Sequence, residues 1–144
     1  PPIAIPLAVY EERSDTFYLR APMGFDRETG TVTFAGGVPE GATVQLTVAT
    51  TDEIFQGTKS ALSKALEGFP QGIHPDAGLV FSCGIRKLLL GTRTGKEIDM
   101  TRELFGADLP VAGFYCFGEI APMASPDLSR FHNETIVAVL LGSG

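Results

Sequence analysis

The stretch Val44–Pro70, VQLTVATTDEIFQGTKSALSKALEGFP, changes period half-way along and decides the fold class. Val44, Leu46 and Val48 alternate with Gln45 and Thr47, the signature of a half-buried strand. From residue 51 the spacing shifts. Ile54, Phe55, Ala61, Leu62, Ala65 and Leu66 fall on one side of a 3.6-residue period, which predicts a helix over 51–67. Thr50 and Glu53 have capping-box spacing, Asp52 and Glu53 suit the positive end of the helix dipole, and Gly68 and Pro70 stop the helix.

Before this stretch the chain reads as β. Ile3, Ile5, Leu7 and Val9 alternate, with Pro6 marking a strand start or edge. Phe17 and Leu19 form a second set, Asp26 to Gly30 is turn chemistry, and Thr31 to Phe34 is a short strand. After it, Ala77 to Ser82 reads as a buried strand, and a helix begins beyond Cys83. Gly91 to Gly95 interrupts that helix, and Glu97 to Phe105 resumes it, with Thr94 and Glu97 again at capping-box spacing. Val111 to Ile120 and Thr135 to Leu141 are the last strands. The order β-β-β-β-α-β-α-β-β is an α+β pattern: a curved, largely antiparallel sheet with two main helices on one face.

A chain of 144 residues argues for one domain spanning 1–144. A domain of that size buries roughly 70% of its unfolded surface and supports its own core. The opening Pro1-Pro2 suggests a domain cut from a longer protein. With a net charge of −6 and no basic cluster, nucleic acid is excluded as a partner. No run approaches a membrane span, and no signal peptide precedes the first strand, so the expected location is cytoplasmic. There Cys83 and Cys116 stay reduced thiols rather than a disulfide. Two Cys and two His without close ligand pairs make no metal site, and no phosphate loop, serine elbow or dinucleotide fingerprint calls for a cofactor.

Polar chemistry concentrates in two places. Ser82-Cys83-Gly84-Ile85-Arg86 lies where a buried strand meets a helix, so free N–H groups there attract anions, and Gly84 permits close approach. Arg86 in a first turn opposes the helix dipole, which an anionic ligand or a protein carboxylate such as Glu119 would offset. The second place is GFYCFGEIAPMASPDLSRFHNET, Gly113 to Thr135. Strand alternation there sets Tyr115, Phe117 and Glu119 on one face, a carboxylate among rings able to receive an ammonium group. Asn133 follows as a polar contact or an Asx turn, beside His132.

Phe81-Ser82-Cys83 with Arg86, Gly113-Phe114-Tyr115 running into Gly118-Glu119-Ile120, and Phe131-His132-Asn133 with Thr135 together resemble the FIST C-terminal domain family. Gly30, the strand to Phe34 and Val38-Pro39-Glu40-Gly41 extend the likeness to nearly the whole chain. The resemblance implies a cytoplasmic sensory domain of signal transduction that normally follows a FIST N-terminal domain and binds small ligands such as amino acids. Its eukaryotic relatives include F-box proteins. On this reading Ser82, Cys83, Gly84 and Arg86 hold a carboxylate, Glu119 meets an ammonium, Tyr115 and Phe117 form an apolar wall and Asn133 supports them. Two other functions compete. One is an interaction module, a homodimer among its forms, in which a buried Arg–Glu network fixes the fold. The other is an enzyme with Cys83 as nucleophile and His132 or Glu119 as base. The sensory reading assigns no catalytic residue.

Overall fold

The computed structural model describes residues 5–11, 15–123 and 128–143. Ile3 and part of the loop between Ala121 and Arg130 lie outside them. The architecture is α+β, with ten strands and three helices among the described residues. The strands divide among four small sheets rather than forming one.

In the first sheet β1 (Leu7–Tyr10) lies between β2 (Phe17–Arg20) and β5 (Val44–Leu46), antiparallel to both. Ala8 and Val9 are its buried centre. Between β2 and β5 runs a hairpin, β3 (Pro22–Asp26) with β4 (Thr31–Phe34). Sequence patterning missed β3, whose residues are mostly exposed and carry no alternation. The hairpin turn is Asp26 chemistry as expected: its carboxylate accepts the Glu28 and Thr29 N–H groups, and Gly30 takes φ +67.

Helix α1 (Thr51–Glu67) has the bounds its period predicts. Thr50 and Glu53 complete the capping box, and the Gly68 N–H closes the other end on Lys64. Ile54, Phe55, Thr58 and Leu62 form the buried stripe, and Ile54 and Phe55 pack with Leu90 and Met100. The second expected helix is broken into α2 (Gly84–Leu90) and α3 (Gly95–Phe105), joined by a short 3-10 turn at Gly91–Arg93. The predicted capping box at its restart is absent. Thr94 is itself helical, its side chain caps nothing, and the Glu97 carboxylate is used elsewhere.

The second sheet positions the site. Its centre is β6 (Ala77–Cys83), antiparallel to β10 (Ile136–Leu141) and parallel to β7 (Val111–Cys116). Gly113 lets β7 lie against β6, because a Cβ there would overlap the Val80 carbonyl. The strand expected over 111–120 ends at Cys116. The chain breaks at Phe117-Gly118, and β8 (Glu119–Ala121) pairs instead with β9 (Arg130–His132). Gly118 sits against the Phe131 ring, which leaves no room for a side chain.

Candidate functional site

The β6–α2 junction and α3 build one polar cluster. Arg86 is buried, and its Nη2 donates to Glu97 Oε1 at 2.7 Å, Thr58 Oγ1 at 2.6 Å and the Ile54 carbonyl at 3.1 Å. Thr58 Oγ1 lies 2.8 Å from the same Glu97 oxygen. Ser82 Oγ reaches Glu97 Oε2 only at 3.5 Å, so that oxygen keeps acceptor capacity. Arg86 Nε is buried without a partner. The carboxylate that balances Arg86 is therefore Glu97, not Glu119. Glu97 shares a helical face with Thr101 and Phe105, and all three are buried. That spacing was a legible signal that Glu97 points inward.

Beside this cluster a cavity of about 440 Å³ opens between α3 and the face of the second sheet that α3 covers. Ser82, Glu97, Thr101 and Tyr115 supply its polar groups, Val80, Val111 and Ile136 line the sheet side, and Ile98 and Arg102 come from α3. The register explains the grouping. Val80 pairs with Gly113, and Ser82 with both Tyr115 and Ile136, so these side chains share a face. The Tyr115 phenol is pushed above its usual range by burial and by the Glu97 charge, with Arg86 opposing. Lys87 lies over the Tyr115 ring at 5.0 Å.

Glu119 belongs to a different cluster. It is only 3% exposed. Its Oε2 accepts the Thr135 hydroxyl at 2.8 Å and the Thr135 N–H at 3.3 Å, while Oε1 accepts the Cys116 thiol at 3.3 Å. Phe117, expected beside it, is 84% exposed and lies against Gly84 instead. The break at Gly118 is the cause, since it cancels the alternation on which that shared face depended. Glu134 joins this cluster at φ +59, a left-handed conformation rare outside glycine, with one carboxylate oxygen buried and unpartnered. Burial, with the Glu119 charge adding to it, raises its carboxyl to about 7.

Cys83 is buried, its N–H is donated to the Thr135 carbonyl, and burial pushes its thiol up. Cys116, its register partner, is pushed up to about 11 by burial and by its bond to Glu119. Both are free thiols. These are conditions opposite to those that activate a cysteine nucleophile. The amide of Cys83 and the space at Gly84 are thus taken by the protein itself. His132 holds the Ala121 carbonyl through Nε2 at 3.0 Å and lines a separate, mostly apolar hollow of about 490 Å³ with Phe17, Leu19 and Val137. Asn133 is fully buried. Its Oδ1 accepts the Ala21 N–H at 3.2 Å, tying the first sheet to the turn before β10.

Of the eight residues singled out in the sequence, then, Ser82 and Tyr115 line the cavity and Arg86 stands behind its polar end. Cys83, Gly84, Phe117, Glu119 and Asn133 do not line it. Glu97, Thr58 and Thr101 were missed. So was Arg20, a buried cation that donates to the Leu19, Gly37 and Phe131 carbonyls and sits 4.2 Å from the Tyr18 ring centre. Among the described residues no group of His, Cys, Asp and Glu is arranged to hold a metal ion, and no helix is long and apolar enough to cross a membrane.

Two proteins of Mycobacterium tuberculosis are similar to this chain, "Uncharacterized protein MT0656" of strain CDC 1551 / Oshkosh and "Uncharacterized protein Rv0628c" of strain ATCC 25618 / H37Rv. Each is 32% identical over 108 residues, which are 75% of this chain and 27% of the relative. The chain thus spans only about a quarter of the length of these relatives. No solved structure matches. The FIST C domain family matches residues 1–122, which include Ser82, Arg86, Glu97 and Tyr115; His132, Asn133 and Thr135 lie beyond the match. With that match running through most of its length, the chain belongs to the FIST C domain family, a sensory-domain family associated with signal transduction.

Proposed function

We propose that this domain senses a small ligand, an amino acid in kind, in the cavity between α3 and the β6–β7 face. The observation that carries the reading is the cavity's chemistry. Its volume, about 440 Å³, suits a small molecule. Glu97 Oε2 is a buried carboxylate oxygen with spare capacity for an ammonium, and Arg102 on the lining offers a guanidinium to a carboxylate. Val80, Ile98, Leu109, Val111 and Ile136 form an apolar wall for a side chain. This arrangement replaces the Arg86 and Glu119 clamp expected from sequence. Arg86 instead holds Glu97 in place through the 2.7 Å contact. The same reading makes the domain a cytoplasmic binding module rather than a catalyst.

Calorimetry of the twenty amino acids against the full-length protein tests it. Binding that is weakened by both Ser82→Ala and Arg102→Ala supports the cavity. No heat with any amino acid, or binding indifferent to both substitutions, overturns it. The competing reading, a module whose Arg86–Glu97 network only fixes the fold, draws on the pair's burial. It predicts that those two substitutions change no binding at all.

A further inference from the structure

Among the described residues, the second sheet is covered by helices on one face only, and on the other face only Val137 lines the hollow beside β2. Residues of even number on β6 face the cavity and α3; Leu79 and Phe81, with Ala112 and Phe114 on β7 and Val139 and Leu141 on β10, take the other face. That face is apolar throughout. Phe114 is 65% exposed, Leu141 47% and Val139 38%, and Phe81 and Phe114 meet edge to face with ring centres 5.1 Å apart. Sheets with parallel pairs are ordinarily buried on both faces, because the crossover between the strands supplies one layer and a second layer is packed on the other side. Among the described residues, the β6–β7 pair has its crossover helices and lacks a second layer. The total surface agrees. It is 9464 Å² for 15.3 kDa. A compact monomer of that mass exposes roughly 7,100 Å².

We infer that the Phe81–Phe114–Val139–Leu141 face is the docking surface for another domain of the same polypeptide, the FIST N-terminal domain that FIST C domains accompany. Three considerations select that occupant over a second copy. The relatives devote about three-quarters of their length to sequence outside the aligned part, so a covering layer is available in the same chain. Covalent linkage presents such a layer at an effective concentration on the order of millimolar. Two copies of this chain would each bring a charge of −6 to the contact, which opposes self-association. The face adjoins the cavity only at the edge strand β7, where Ala112 and Phe114 also border it; Leu79, Phe81, Val139 and Leu141 do not line it.

Site-resolved thiol labelling of the full-length protein tests it. Phe114→Cys is compared with Ser60→Cys on the exposed side of α1, each read by peptide mass spectrometry. The expected result is labelling at 114 roughly tenfold or more slower than at 60, unchanged on hundredfold dilution. Equal labelling at the two positions overturns the inference, and so does protection that disappears on dilution, which assigns the face to a second copy. Carbene footprinting of the unsubstituted protein gives the same readout without the risk of misfolding. The peptides carrying Phe114 and Val139 should be modified less than the one carrying Ser60, and equal modification overturns the inference.

Discussion

Arg86 and Glu97 meet at 2.7 Å with less than a tenth of either side chain exposed, and they join α2 to α3 across a helix break. Removing one member of such a pair strands the other in the interior. Glu97→Ala should cost about 3–5 kcal/mol. Replacing both by apolar residues, Arg86→Met with Glu97→Leu, should cost markedly less than either single change. Denaturant titration of the three variants checks this. A double variant as unstable as the singles would show that the pair does more than neutralise itself.

Gly113 is where β7 comes closest to β6. A Cβ there would overlap the Val80 carbonyl, so Gly113→Ala should open the parallel pairing and dismantle one wall of the cavity. The expected cost is about 3 kcal/mol or more, well above the ~1 kcal/mol centre of ordinary substitutions. Gly95→Ala, at a position with open space, should be neutral or slightly stabilising. Thermal melts of the two variants compare them directly.

Glu134 makes stability depend on pH in an unusual direction. Its carboxyl is raised from 4.5 to about 7, so the fold retains a proton that the unfolded chain releases. The contribution is fully present below about pH 4.5 and is lost as pH rises through 7. Glu134→Gln should therefore flatten the stability profile between pH 5 and 8 and leave the variant more stable than wild type at the alkaline end. The difference should be on the order of 1–3 kcal/mol. Denaturation midpoints at pH 5, 6.5 and 8 decide it. A wild-type profile that rises with pH across that window, with no change in the variant, would contradict the placement of this carboxyl.

The two thiols should be silent in the folded protein. Cys83 is buried, and Cys116 is held near 11 by burial and Glu119. At pH 8 a disulfide reagent should titrate neither within minutes, and both at once in denaturant. Glu119→Gln should speed Cys116, because it removes the charge that opposes the thiolate. Fast native labelling of Cys83 would revive a nucleophilic role for it.

Local order was written plainly in the chain. The helix Thr51–Glu67 and its capping box were legible because period, cap and stop signals all lie within about twenty residues. The strand Ala77–Cys83 was legible as a short apolar run, and the turn at Asp26 and Gly30 followed from their own backbone chemistry. Ser82 could be singled out because it lies where a buried strand meets a helix, and Tyr115 because strand alternation sets its ring on one face of its strand.

What the tertiary structure decided was pairing. Glu97 and Glu119 are both carboxylates within reach of Arg86 in sequence terms, and nothing local ranks them. The break at Phe117-Gly118 turns Glu119 toward Thr135 and Cys116, and that break exists because Phe131 packs against Gly118 from thirteen positions later. With Glu119 engaged there, the inward face of α3 brings Glu97 to Arg86. Residue types, periods and caps are local properties that sequence alone determines. Which charge faces which, and which sheet face is left uncovered, are settled by packing between segments far apart in the chain.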